Sequence, residues 1–117
     1  MPVDLKNLKC VPCKGGDPPL SEAEIAARVP QVPDWQVITQ DGIPRLRRVF
    51  RLKNFAEALA FTQQVGELAE MEDHHPAILT EWGKVTVTWW THKIKGLHQN
   101  DFIMAAKTDT AAQAGAG

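Results

Sequence analysis

The four histidines of this chain stand at positions 74, 75, 92 and 98, and nowhere else in its 117 residues. Imidazole both gives and takes a proton near neutral pH, so a type confined to one short window points to a proton-transfer site. The surroundings suit that chemistry. Glu70-Met71-Glu72-Asp73-His74-His75-Pro76 sets carboxylates directly before two imidazoles. Glu70 and His74, four apart, would share one face of a helix. Pro76 would push His75 out of the helical region into extended backbone. His92 follows an alternating segment, and Asp101 lies in the first turn of another helical pattern. Carboxylates beside imidazoles hold tautomers and tune basicity. His74, His75 and His92 with Glu70 and Asp101 therefore read as an acid–base site without a nucleophile.

Other uses of these residues are conceivable. One histidine at a helix end commonly just caps it, but capping needs a single imidazole. His74, His92 and a carboxylate could form a two-histidine, one-carboxylate metal triad. Adjacent histidines rarely share an ion and no His-x3-His helix spacing is present, so no metal is expected. Cys10-Val11-Pro12-Cys13 lacks the second pair of a zinc ribbon, and Lys14-Gly15-Gly16 stands where a thioredoxin-like site would start a helix. It reads as a loop constraint, with half of a shared metal site as the alternative. Arg45, Arg47, Arg48, Arg51 and Lys53 read as a solvated strand face, or else as a surface for an anion or a partner. Trp35, Trp82, Trp89 and Trp90 fit a core or an interface.

Pattern supplies the elements that must position these groups. Residues 1–20 are rich in Pro and Gly and read as an irregular arm. Ser21-x-x-Glu24 is a capping box opening a short helix near 21–29, which Pro30 and Pro33 stop. A strand over Trp35–Thr39, the Asp41-Gly42 turn and a return strand over Pro44–Leu52 form a hairpin. Leu46, Phe50 and Leu52 share one face of it and Arg45, Arg47 and Arg51 the other, with Arg48 breaking the apolar side. Asn54-x-x-Glu57 opens a helix of about 55–73, with Phe55, Ala58, Leu59, Thr62, Val65 and Ala69 at helical spacing and Phe61 and Leu68 beside them. Ala77–Glu81 and Lys84–Trp90 flank Trp82-Gly83 as a second hairpin, in which Val85, Val87 and Trp89 alternate with Lys84, Thr86 and Thr88. A last helix spans about 98–112, and residues 113–117 form a flexible tail. Helix, hairpin, helix, hairpin, helix is an α+β domain over 21–112: a four-stranded antiparallel sheet with helices on one face.

Composition sets the outer limits. A chain of this length makes one domain. Thirteen basic and fourteen acidic residues leave no field to hold nucleic acid. No run of about 18 apolar residues spans a membrane, and the first residues lack the apolar stretch of a signal peptide, so a cytoplasmic protein is expected.

Glu70-x3-His74-His75-Pro76, then Trp82, Thr91-His92 and Gly96-Leu97-x3-Asp101, resembles the signature of the pterin-4a-carbinolamine dehydratase family. Asp34-Trp35, Phe50-x-Leu52-x-Asn54-Phe55 and Thr86-Val87-Thr88 resemble it too, over about residues 20–108. The Cys10–Gly16 arm is similar to an extension of bacterial and plant members. The resemblance implies an α+β fold, no metal and no cofactor (pterin being the substrate), and dimers or tetramers. It implies dehydration of a 4a-hydroxytetrahydropterin to the quinonoid dihydropterin, which recycles the cofactor of aromatic amino acid hydroxylases. It makes His74 and His92 the acids for hydroxyls on opposite pterin faces and His75 the ring-binding base. Glu70 and Asp101 would orient the imidazoles, with Trp35, Pro76 and Trp82 completing the orienting and substrate-binding set. His98 departs from the pattern: it sits where Ser or Thr would cap better and could compete for Asp101. Some members bind proteins instead; one stabilises a transcription-factor dimer and a relative assists RuBisCO assembly. A non-catalytic binding module with a protein partner is therefore the alternative.

Overall fold

Elements occur in the order that pattern predicts. In a computed structural model, which describes residues 18–115, Ser21 opens α1 (Glu22–Arg28) with a complete capping box. Its hydroxyl accepts from the Glu24 N–H, and the Glu24 carboxylate accepts from the Ser21 N–H. These bonds, the one from the Ser21 backbone foremost, hold the Glu24 carboxyl below its ordinary range. Asn54 caps α2 (Phe55–Glu72) by accepting from the Glu57 N–H. Glu57 turns its carboxylate to the Lys53 N–H instead, so the second box is only half formed.

The strands are β1 (Gln36–Gln40), β2 (Ile43–Arg51), β3 (Ala77–Glu81) and β4 (Lys84–Trp89). They form one antiparallel sheet in the order β1-β2-β4-β3. Asp41 and Gly42 both take positive φ, 55° and 75°, as the two-residue type I′ turn of a tight hairpin requires. Leu46, Phe50, Val85, Val87 and Trp89 are buried beneath the helices. Residues of the other parity form an open face, where Arg47 and Arg51 are exposed. Thr86 is buried even there, flanked by Val49 and Leu79 across the register. Arg45 departs from the expected solvated row: it is only 8% exposed.

Against the sheet α2 lays Ala58, Phe61, Val65 and Ala69. Phe55 and Leu59, expected on that stripe, are 42% and 50% exposed. The helix is rolled so that the 58-61-65-69 row faces the core and these two lie at its border. A third helix, α3 (Gln99–Gly115), packs on α2 and over β2 and β4. It runs three residues past the expected end, through part of the stretch read as a tail. Its first turns are buried continuously over residues 100–105, because the helix is wedged between sheet and α2. Of the arm read over 1–20, residues 1–17, with Cys10 and Cys13, lie outside the described residues. Among the described residues no helix is long and apolar enough to cross a membrane.

Candidate active site

The antiparallel pairing of β3 with β4 sets the histidines at one end of the sheet. His74 and His75 precede β3, and His92 follows β4. Antiparallel neighbours set the start of one strand beside the end of the other, here through the pair Ala77 and Thr88. The end of α2 and the start of α3 close over the same edge and deliver Glu70 and Asp101.

The terminus of α2 decides which imidazole meets which carboxylate. Asp73 takes the left-handed conformation, φ 51°. The His74 N–H then reaches the Ala69 carbonyl at 3.1 Å and the Asp73 N–H reaches the Glu70 carbonyl at 3.4 Å, the crossed pair of a Schellman terminus. His74 thereby leaves the helical spiral, so the expected stacking of Glu70 on His74 does not form. Glu70 binds His75 Nε2 instead. That pair is open to solvent, with side-chain exposures of 77% and 53%.

His74 turns inward. Its ring stacks on Trp89, centroids 5.7 Å apart and planes within 5°. Its Nε2 lies 2.6 Å from Asp101 Oδ1. Asp101 is fully buried. Its Oδ2 accepts from the Thr91 hydroxyl at 2.8 Å and from the His98 N–H at 2.9 Å. A carboxylate facing donors on one oxygen and an imidazole on the other fixes the tautomer: His74 carries its proton on Nε2, leaving Nδ1 for other work.

Capping explains how α3 aims this carboxylate. Asp101 occupies the third helical position and accepts from the N–H of the cap residue, His98, whose own Nδ1 accepts from the Asn100 N–H at 3.1 Å. This is a capping box with an imidazole in the usual hydroxyl's place. His98 therefore supports Asp101 through its backbone and does not compete with its ring.

His92 begins a 3₁₀ turn, His92–Ile94. It is exposed, and its ring lies 4.4 Å from that of Trp90. Thr91 ties it to the rest of the site, since the residue before it donates to the carboxylate that holds His74. Pro76 sets the path from His75 into β3.

The other two expected residues stand elsewhere in the chain. Trp35 is 3% exposed, packs edge-on against Phe50, and donates Nε1–H to Asp109 at 2.9 Å. Asp109 lies two turns along α3 from Asp101, about 12 Å. Trp82, in the β3–β4 turn, is 74% exposed. It stands at the opposite end of β4 from Trp89, about 17 Å away. Trp89 and Trp90, read from sequence as core or interface, are what the rings of His74 and His92 pack on. Strand alternation next to a histidine was the available signal for them.

Two cavities, of about 480 and 730 Å³, lie by Asp109 and under α1, and neither is lined by a histidine. Burial raises the Asp109 carboxyl above its ordinary range, against the pull of the Trp35 N–H and the Arg48 guanidinium 2.6 Å away. Among the described residues no three His, Cys, Asp or Glu side chains gather as metal ligands.

Comparison with known proteins places this geometry. The sequence model described as Pterin 4 alpha carbinolamine dehydratase matches residues 18–111. The chain belongs to the pterin 4 alpha carbinolamine dehydratase family. A relative from Nitrosococcus oceani, named "Putative pterin-4-alpha-carbinolamine dehydratase", is 62% identical over 106 residues, 91% of this chain and 94% of the relative. A similarly named relative from Gloeobacter violaceus is 56% identical over 115 residues, 97% of this chain and 99% of its own length. The crystal structure of a transcriptional coactivator/pterin dehydratase from Brucella melitensis superposes with a TM-score of 0.72 at 33% identity, covering 80% of this chain and 98% of that one. A pterin dehydratase-like RuBisCO assembly factor of the alpha-carboxysome shares the fold of the dehydratase family, with a TM-score of 0.57 at 22% identity over 68% of this chain and 89% of its own.

Proposed function

We propose that the chain dehydrates a 4a-hydroxytetrahydropterin to the quinonoid dihydropterin and water by histidine acid–base catalysis. One observation carries the reading: adjacent imidazoles are paired with separate carboxylates, His74 with Asp101 and His75 with Glu70, at the sheet end that also bears His92. Family membership and the names of close relatives support it.

The chemistry asks for little more. The C4a–O bond breaks as the N5 lone pair forms the C4a–N5 double bond. A general acid gives the departing hydroxyl its proton, so that it leaves as water, and a general base takes the proton from N5. Each such group contributes a factor of about 10²–10⁴. His74 and His92 serve as the acids and His75 as the base; the pterin is the substrate and no further cofactor takes part. Asp101 holds His74 Nε2–H and offsets the charge of the ring when Nδ1 carries the proton to be given, and Glu70 keeps His75 from rotating away. Half-exposed His75 stays open to a flat ring from solvent.

Stopped-flow dehydration of freshly generated 4a-hydroxypterin tests the reading. His75→Ala removes only a surface pair, worth about 0–1 kcal/mol, so the fold should survive while kcat falls by about 10²-fold or more. Wild-type kinetics in that variant would overturn the site. The alternative, a binding module, finds its support in exposed Arg47 and Arg51 on the open sheet face. It predicts that pull-down with the wild-type chain recovers a stoichiometric protein partner, and that Arg47→Glu with Arg51→Glu abolishes this binding while leaving whatever dehydration the wild type shows unchanged.

A further inference from the structure

Two of the three imidazoles have a carboxylate to hold them; His92 has none among the described residues. Its ring contact is Trp90, at 4.4 Å between centroids and 42° between planes. No side chain caps the turn that it begins. Over the same indole stands Arg45, whose Cζ lies 4.0 Å from the Trp90 ring centroid. The sheet register explains the meeting. Leu46 pairs with Trp89, so Arg45 and Trp90 are the next residues to face each other, on the sheet face away from the helices.

Arg45 is placed at some cost. It is 8% exposed while its neighbours Arg47 and Arg51 lie in solvent. Its Nη2 donates to the Gln40 carbonyl at 3.1 Å, and the one nearby carboxylate, Asp41 Oδ2, is 3.8 Å off and 83% exposed. Its Nε is buried with no partner among the described residues. An arginine on an open sheet face would ordinarily keep its whole head in water, and a buried unpaired donor is unfavourable. What the burial achieves is a guanidinium set over the indole ring, where a cation and an aromatic face attract.

We propose that Trp90 and Arg45 are positioning residues for His92: the guanidinium fixes the indole, and the indole fixes the imidazole in the orientation that its carboxylate-held counterparts owe to Asp101 and Glu70. The assignment rests on the dehydratase reading and on the part given there to His92. Small misplacements of a reacting group lower rates steeply, so the device acts on kcat and leaves substrate binding nearly untouched.

The test combines stopped-flow kinetics with NMR of the His92 ring in Trp90→Leu, Trp90→Phe, Arg45→Met, Arg45→Lys and His92→Ala. Trp90→Leu should lower kcat by about 10-fold with KM within about 2-fold, since a displaced but present imidazole retains part of its effect. Trp90→Phe and Arg45→Lys should recover most of that loss, and Arg45→Met should fall between. The His92 Cε1–H resonance should lose its ring-current shift in Trp90→Leu and keep it in Trp90→Phe. Wild-type kcat in both Trp90→Leu and Arg45→Met, with His92→Ala impaired, overturns the positioning role alone. Wild-type kcat in His92→Ala overturns the part given to His92, and this proposal with it. Should Trp90→Leu fail to fold, an unmoved His92 resonance in Arg45→Met overturns the proposal by itself.

Discussion

Asp101→Asn tests the core of the site. The carboxylate is fully buried and meets three groups: His74 Nε2 at 2.6 Å on Oδ1, and the Thr91 hydroxyl at 2.8 Å and the His98 N–H at 2.9 Å on Oδ2. Asparagine has the same shape but one oxygen. That oxygen must stay at the Oδ2 position, because the His98 N–H can only donate. The amide NH₂ then faces His74, and His74 must move its proton from Nε2 to Nδ1 to accept from it. Charged hydrogen bonds are roughly twice as strong as neutral ones, and the charge also sits in the first turn of α3, where the helix dipole favours it by about 0.3–1 kcal/mol. Weakening three bonds and losing that term should cost about 2–4 kcal/mol. Ordinary domains hold about 5–15 kcal/mol, so the protein should stay folded. In the wild type the ring gives a proton from Nδ1 while Nε2–H stays on Asp101, so it must carry protons on both nitrogens. A neutral amide no longer offsets that charge as the carboxylate does, so kcat should fall by about 10²-fold or more. Urea denaturation gives the stability, stopped-flow dehydration gives kcat, and ¹⁵N spectra of the His74 ring give the tautomer. Thr91→Val, which removes one donor and leaves the charge, should cost about 1 kcal/mol and keep the tautomer. An Asp101→Asn protein that folds, keeps Nε2–H on His74 and turns over at the wild-type rate would refute the reasoning.

Three further outcomes follow from the fold. Arg48→Met removes the partner that partly offsets the burial of Asp109 and should cost about 1–3 kcal/mol at pH 7 in urea denaturation. A carboxyl raised on folding stabilises the folded state fully below the unfolded value of about 3.9 and loses that contribution as pH rises through its folded value. Without Arg48 the rise is larger, so the deficit should shrink as pH falls toward 4; a deficit independent of pH would contradict the account. Asp73→Gly should raise stability by about 0.5–1 kcal/mol by relieving the left-handed position, φ 51°, whereas Asp73→Val should lower it; thermal melts distinguish them. Gly96→Ala puts a Cβ 2.7 Å from Pro19 Cβ and should cost about 1–3 kcal/mol, displacing the Leu20 N–H from the Leu97 carbonyl, which amide exchange at Leu20 would report.

Local pattern by itself determined a great deal here. Short-range chemistry specifies the Ser21 box, the Asp41-Gly42 turn and the 2.0 and 3.6 periods, and with them the α+β order of elements. The same is true of the candidate residues, since confinement of histidine to one window needs no coordinates to be noticed. What only the tertiary structure decided is who faces whom. Residue spacing put Glu70 under His74; a left-handed Asp73 broke the spiral and gave Glu70 to His75, because a helix terminus redirects every residue after it. Arg45 read as solvated from its strand parity, yet the β2–β4 register set it against Trp90 and buried it. Trp35 and Trp82 carry the family's residue types but stand in other parts of this fold. Asp101 reaches His74 across 27 residues only because α3 is wedged against the end of the sheet. A one-dimensional period fixes which way a side chain faces along its own element. The partner on the neighbouring element depends on register, helix roll and the path of the connecting turn, and these are set by packing of the whole core.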